Sequence, residues 1–219
     1  MTLLITADPD YQACLAKIDQ QPEQAREQAL AWVDTGGGAP ARHCAAMADL
    51  ALKNYRLGAG RLLELADDEA AKTPLIAATL YGQAAEALLE LPDEATALEA
   101  VKIGLALAPE AADLHATAGR VHLSAQRWLA AETALTKAAT FQSLDGHGFA
   151  SRARARLEQN KLEAATQDTL EALKLDPQFI PALIIRGELI QRGLMIDMPQ
   201  PAPPPSSPPE VNQRSGLRQ

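Results

Sequence analysis

The stretch LALAPEAADLHATAGR, residues 105–120, sets Pro109 ten residues ahead of Gly119, inside a segment whose alanines and leucines read as helix. A glycine in a helix interior costs about 1 kcal/mol relative to alanine, so its presence asks for a structural reason. The stretch LKLDPQFIPALIIRGE, residues 173–188, repeats the arrangement, with Pro177 ten residues ahead of Gly187. The two prolines lie 68 residues apart, twice 34, and the 34-residue step links further positions. Ala85, Gly119, Ala153 and Gly187 form one small-residue series; Ala97, Ala131 and Ala165 a second; Gly104, Ala138 and Ala172 a third. Tyr81, His115, Phe149 and Leu183 recur in the same register as bulkier side chains. Series that share one period mark an internal repeat.

Composition agrees with an all-α chain. Hydrophobic residues make up 47% and aromatics only 4%, so the chain can bury a core but lacks the side chains that favour strands. The formal net charge is −8, and no dense run of lysine and arginine offers a footprint for phosphates, which argues against nucleic acid as a partner. No run of 18 apolar residues exists, so no membrane span is expected.

A 34-residue period with small, small and bulky positions resembles the tetratricopeptide repeat (TPR) family, most clearly from residue 78 to residue 193. The resemblance implies a right-handed α-solenoid of antiparallel helix pairs, a TPR-like superhelix. A small residue would sit where the first helix of a pair meets the second, another where the second meets the next repeat, and proline would close the second helix. Residues 77–109, 111–139 and 148–177 supply three such pairs, and 180–193 one further first helix. Upstream, 40–66 reads as a pair around Tyr55, with Gly58 at a small position. Its register is offset by five residues, for which ADDEAAKTP (66–74) is the natural insertion site. Residues 9–38 read as another pair broken at Gln21-Pro22. Four pairs are expected, a fifth with weaker support, or the equivalent with a lone last helix. The chain thus divides into atypical repeats over 1–76, a TPR array with its terminal helix over 77–195, and a tail over 196–219. Seven of the 15 prolines fall in that tail, which precludes a helix there.

What the resemblance implies for function is a concave groove lined by the first helices. Transferred position by position, the residue after each small one is Glu86, Arg120, Arg154 and Glu188, with Leu89, Leu123 and Leu157 beside them and Asp113 and His147 near the helix starts. Two arginines from adjacent repeats would then select carboxylates or carbonyls through their forked donors. Chaperone-binding TPR domains clamp a terminal carboxylate with Lys and Asn. The matching places here hold Gly82 and Glu86, Ala116 and Arg120, Ala150 and Arg154, so that specialisation is not expected.

Catalytic signatures are missing: no G-x-S-x-G, no H-E-x-x-H and no phosphate loop. His115 and His122 share a helix face, but His115 occupies the register of Tyr81 and Phe149 and reads as packing rather than as a metal ligand. No cofactor and no metal are expected. Cys14 and Cys44 fall on first helices of successive repeats, which lie side by side, so they read either as a disulfide or as two buried thiols. The choice follows the compartment. As written, MTLLITADPD points to the cytoplasm; if LLITA is the end of a truncated signal peptide, it points to export to the periplasm. The functional expectation is a non-catalytic scaffold that binds a peptide segment or protein partner in the groove. The alternative is a homo-oligomeric structural module that docks through Ile185, Leu189 and Leu194 of the apolar last helix.

Overall fold

The computed structural model describes residues 8–91, 93–194 and 196. The N-terminal leader expectation and the prolines of the tail lie outside the described residues. Eleven helices follow one another among the described residues: α1 (Pro9–Ile18), α2 (Pro22–Asp34), α3 (Gly38–Ala51), α4 (Tyr55–Glu69), α5 (Pro74–Leu89), α6 (Glu94–Leu107), α7 (Ala112–Ser124), α8 (Trp128–Phe141), α9 (Gly146–Glu158), α10 (Leu162–Leu175) and α11 (Ile180–Gln191). They form five antiparallel pairs and a lone last helix, one pair more than the conservative count.

Local chemistry sets the boundaries. Proline stands in the first turn of α1, α2, α5 and α11, where its missing N–H is no loss. Asp8, Asp93 and Asp145 accept backbone N–H groups at the starts of α1, α6 and α9. Within three pairs, the turn from first to second helix passes through a left-handed residue that is not glycine: Lys53, Gln126 and Asn160. The residue after each one donates its N–H five residues back, to Asp49, His122 and Arg156, which is the Schellman closure.

Every helix packs on its chain neighbours. In addition α1 touches α3, α5 touches α7, α7 touches α9 and α9 touches α11, whereas the even-numbered helices make no comparable contacts with one another. The odd helices therefore form the shorter inner arc of a solenoid and line its concave side. The small-residue series accounts for the close approaches. A side chain at Gly119 would collide with Leu135 of α8, which is itself fully buried, and one at Gly58 would collide with Leu50 of α3. Ala85, Ala97, Ala131, Ala153, Ala165 and Ala172 are fully buried. Gly187 breaks the pattern: nothing lies within 4 Å of where its Cβ would be, because no described helix follows α11 to pack there.

Most of the register offset upstream of the repeats is helical. Counting back 34 from the start of α7 at 112 gives 78, yet α5 begins at Pro74, so four of the extra residues form an added first turn of helix. Past residue 195 the chain still touches the core at one described residue. Ile196 is buried against Ile185 and Leu189, and its carbonyl accepts from Arg186 Nε (3.1 Å) and Nη2 (2.8 Å).

Candidate functional site

On the concave side, where α3 and α5 part, a groove of about 790 Å³ runs along α5 and α7 to the α8–α9 connection. Its apolar floor comes from Leu75, Ile76, Leu114 and Leu144, and its polar wall from Thr79, Gln83, Glu86, Asp113, Thr117, Arg120 and Asp145. Leu75 and Ile76 belong to the added first turn of α5, so the register offset upstream of the repeats supplies part of the site.

One end of the groove is closed by a relay through three odd helices. Tyr11 of α1, His43 of α3 and Gln83 of α5 connect in a row, Tyr11 Oη to His43 Nδ1 at 2.7 Å and His43 Nε2 to Gln83 Oε1 at 2.9 Å. Burial holds the imidazole below its ordinary pKa, partly countered by the Gln83 bond, so His43 is neutral at pH 7. A neutral ring that donates Nε2–H to Gln83 must accept at Nδ1, so Tyr11 donates its hydroxyl. Burial in turn raises the Tyr11 pKa.

Two ion pairs on the inner face join residues one period apart. Arg120 Nε donates to Glu86 Oε1 and Oε2 at 3.0 and 3.1 Å, and its Nη2 reaches Thr117 Oγ1 at 3.2 Å. Arg154 donates to Glu188 through Nη1 and Nη2 at 2.7 and 2.6 Å, and to Glu158 at 3.2 Å.

No family model matches the chain, and none of the curated proteins does. Solved structures do. TTC0263, a TPR protein of Thermus thermophilus, superposes with a TM-score of 0.59 at 20% identity, covering 83% of this chain and 99% of its own. MamA, residues 41 to the end, from Desulfovibrio magneticus RS-1 gives 0.62 at 15% identity over 77% and 92%. The second TPR domain of human RPAP3, solved with the HSP70 peptide SGPTIEEVD, gives 0.50 at 25% identity over 53% and 98%. The fold is a TPR solenoid.

Placed on that TPR solenoid, the sequence-derived residues separate. Glu86, Asp113 and Arg120 line the groove. Leu157 is 0% exposed and belongs to the buried cluster with Ile185 and Leu189. Leu89 is half-buried against the central core and Leu123 is half-buried, so the leucine row is not the apolar floor. The apolar floor comes instead from helix starts and a connection. Arg154 and Glu188 lie outside the groove and hold each other; His147 is exposed with its ring edge-on to Phe179, centroids 4.7 Å apart. Sequence reasoning did not place His43, Gln83, Leu75, Leu114, Leu144 or Asp145 in a groove; His43 stood out only for its place beside Cys44, and Leu75 follows directly on the insertion at 66–74. His115 packs as its register implied: it donates Nε2–H to the Pro109 carbonyl at 2.8 Å and stacks on Phe141.

Cys14 and Cys44 meet across α1 and α3 as a disulfide, Cα–Cα 6.3 Å, directly behind the Tyr11–His43 end of the groove. No group of three or more metal-type ligands assembles among the described residues, and no described helix is long and apolar enough to cross a membrane.

Proposed function

We propose that this TPR solenoid is a non-catalytic scaffold that seats a segment of a protein partner in the groove along α5 and α7. The observation that carries the reading is the groove itself. It is a concave surface of about 790 Å³ on the inner arc, with an apolar floor and a wall of polar groups, on a scale suited to side chains of a bound segment. Among structures with this fold, the RPAP3 domain is one solved with a peptide. The test is site-specific photocrosslinking from Gln83 in the groove and from Glu99 on the exposed side of α6. Capture of one discrete polypeptide from Gln83 and not from Glu99, abolished by Thr79→Trp filling the groove, is the expected result. Equal capture from both sites removes the reading.

A second reading, self-assembly through α11, is favoured by different residues from those first expected. Ile185 and Leu189 are buried, and Leu194 packs against the same core. Ile180 and Ile184 are instead 68% and 54% exposed, on a helix with no neighbour on its far side among the described residues. Sedimentation that gives a monomer at every concentration removes it.

A further inference from the structure

Both arginines expected to select a partner are already paired, Arg120 with Glu86 and Arg154 with Glu188. The groove is lined by four charged groups: Glu86, Arg120, Asp113 and Asp145. Glu86 and Arg120 neutralise each other through a forked ion pair. Asp113 makes no ion pair among the described residues, and its carboxylate is exposed. Asp145 commits Oδ1 to the Gly148 N–H at 2.7 Å and keeps its second oxygen for the groove. His43, the remaining ionisable ring at the wall apart from the Tyr11 phenol, is neutral and committed on both nitrogens. The lining therefore carries two unmatched negative charges over an apolar floor, on a chain whose net charge is −8.

We infer that the groove takes a segment that carries lysine or arginine beside apolar side chains, the cation set against Asp113 and Asp145 and the apolar groups against Leu75, Ile76 and Leu114. This rests on the groove being the binding site. Complementary charge would raise the association rate and penalise acidic segments, and salt would weaken it. An acidic peptide such as the SGPTIEEVD bound by the RPAP3 domain has the wrong sign for this groove.

Three fluorescein-labelled nonapeptides test it, with leucine alternating with lysine, with serine or with glutamate, titrated by fluorescence anisotropy at low and high salt. The lysine peptide is expected to bind about tenfold more tightly than the serine peptide, and the glutamate peptide most weakly. The lysine advantage should shrink at high salt and vanish in Asp113→Asn with Asp145→Asn, where asparagine preserves the helix cap. Asp113→Asn alone, which touches no cap, should remove part of it. Thr79→Trp should weaken all three peptides. If lysine and serine peptides bind equally and Thr79→Trp weakens both, the basic preference falls while the groove stands. An advantage that survives the double asparagine variant, or a glutamate peptide that binds best, also overturns it. If no peptide binds, or Thr79→Trp changes nothing, the groove itself is wrong and the preference falls with it.

Discussion

Arg120 of α7 grips Glu86 of α5 one 34-residue period away, and Arg154 of α9 grips Glu188 of α11 across the same interval with the order reversed. The pairs stitch successive first helices together along the inner arc. Both are partly exposed, so each contributes at most about 1 kcal/mol. Arg120→Glu sets two like charges against each other and should lower the thermal midpoint by a few degrees. Adding Glu86→Arg should restore most of the loss. A double-mutant cycle read by thermal melts checks the coupling; a swap no better than the sum of its single variants shows the pair contributes nothing.

Gly119 and Gly187 occupy the same repeat position with opposite surroundings, and alanine scanning should separate them. Gly119→Ala forces a methyl into Leu135, which is fully buried and cannot swing away, so a loss of about 1–3 kcal/mol is expected. Gly187→Ala meets open space and should gain about 0.5–1 kcal/mol of helix propensity. Destabilisation by Gly187→Ala would mean that another helix covers this face in solution.

The period found from Pro109 and Gly119 was enough to read the helix pairs, because close approach between helices demands small residues at fixed places. Ala97, Ala131 and Ala165 are all fully buried as that logic requires. The groove was much less legible. Spacing places Arg120 on the inner face but says nothing about Glu86 reaching it from the preceding repeat, and that pairing changes the sign of the surface. Nor could spacing show that the residues inserted before α5 would coil into an added helical turn and bring Leu75 to the floor. Gln126 and Asn160, one period apart, read as turns from the repeat register and are turns in the structure, whereas Lys53 has neither a glycine nor the register to announce it.

The Cys14–Cys44 link should act locally. It closes a 30-residue loop, for which chain entropy gives about 3 kcal/mol or slightly more. In a solenoid each repeat leans only on its neighbours, so the effect stays near the linked helices. Cys14→Ser should speed hydrogen exchange in α1 and α2 by a large factor and leave α7–α10 as they were. Uniform change along the chain would show that the link supports the whole array. Intact mass under non-reducing conditions, two daltons below the dithiol, is expected if the bond forms where the protein works.

His43 gives the fold a defined response to acid. Its folded pKa lies below the ordinary value near 6.5, chiefly from burial, with the Gln83 bond opposing; His122 shifts the same way, from burial and then from Arg127. Above pH 6.5 these rings are neutral in both folded and unfolded chains, and the stability is fully present. As pH falls through 6.5 the unfolded chain takes up protons that the folded chain refuses, so stability drops, by up to about 1.4 kcal/mol per pH unit for each ring. The loss continues until pH passes the folded pKa. A protonated His43 also donates from Nδ1, so the Tyr11 hydroxyl reverses its role and accepts there. The thermal midpoint should therefore fall between pH 7.5 and pH 5.5, and fall less in His43→Gln. Proton NMR of the His43 ring should give a midpoint below 6.5; a midpoint at or above that value would remove both the neutral relay and the acid response derived from it.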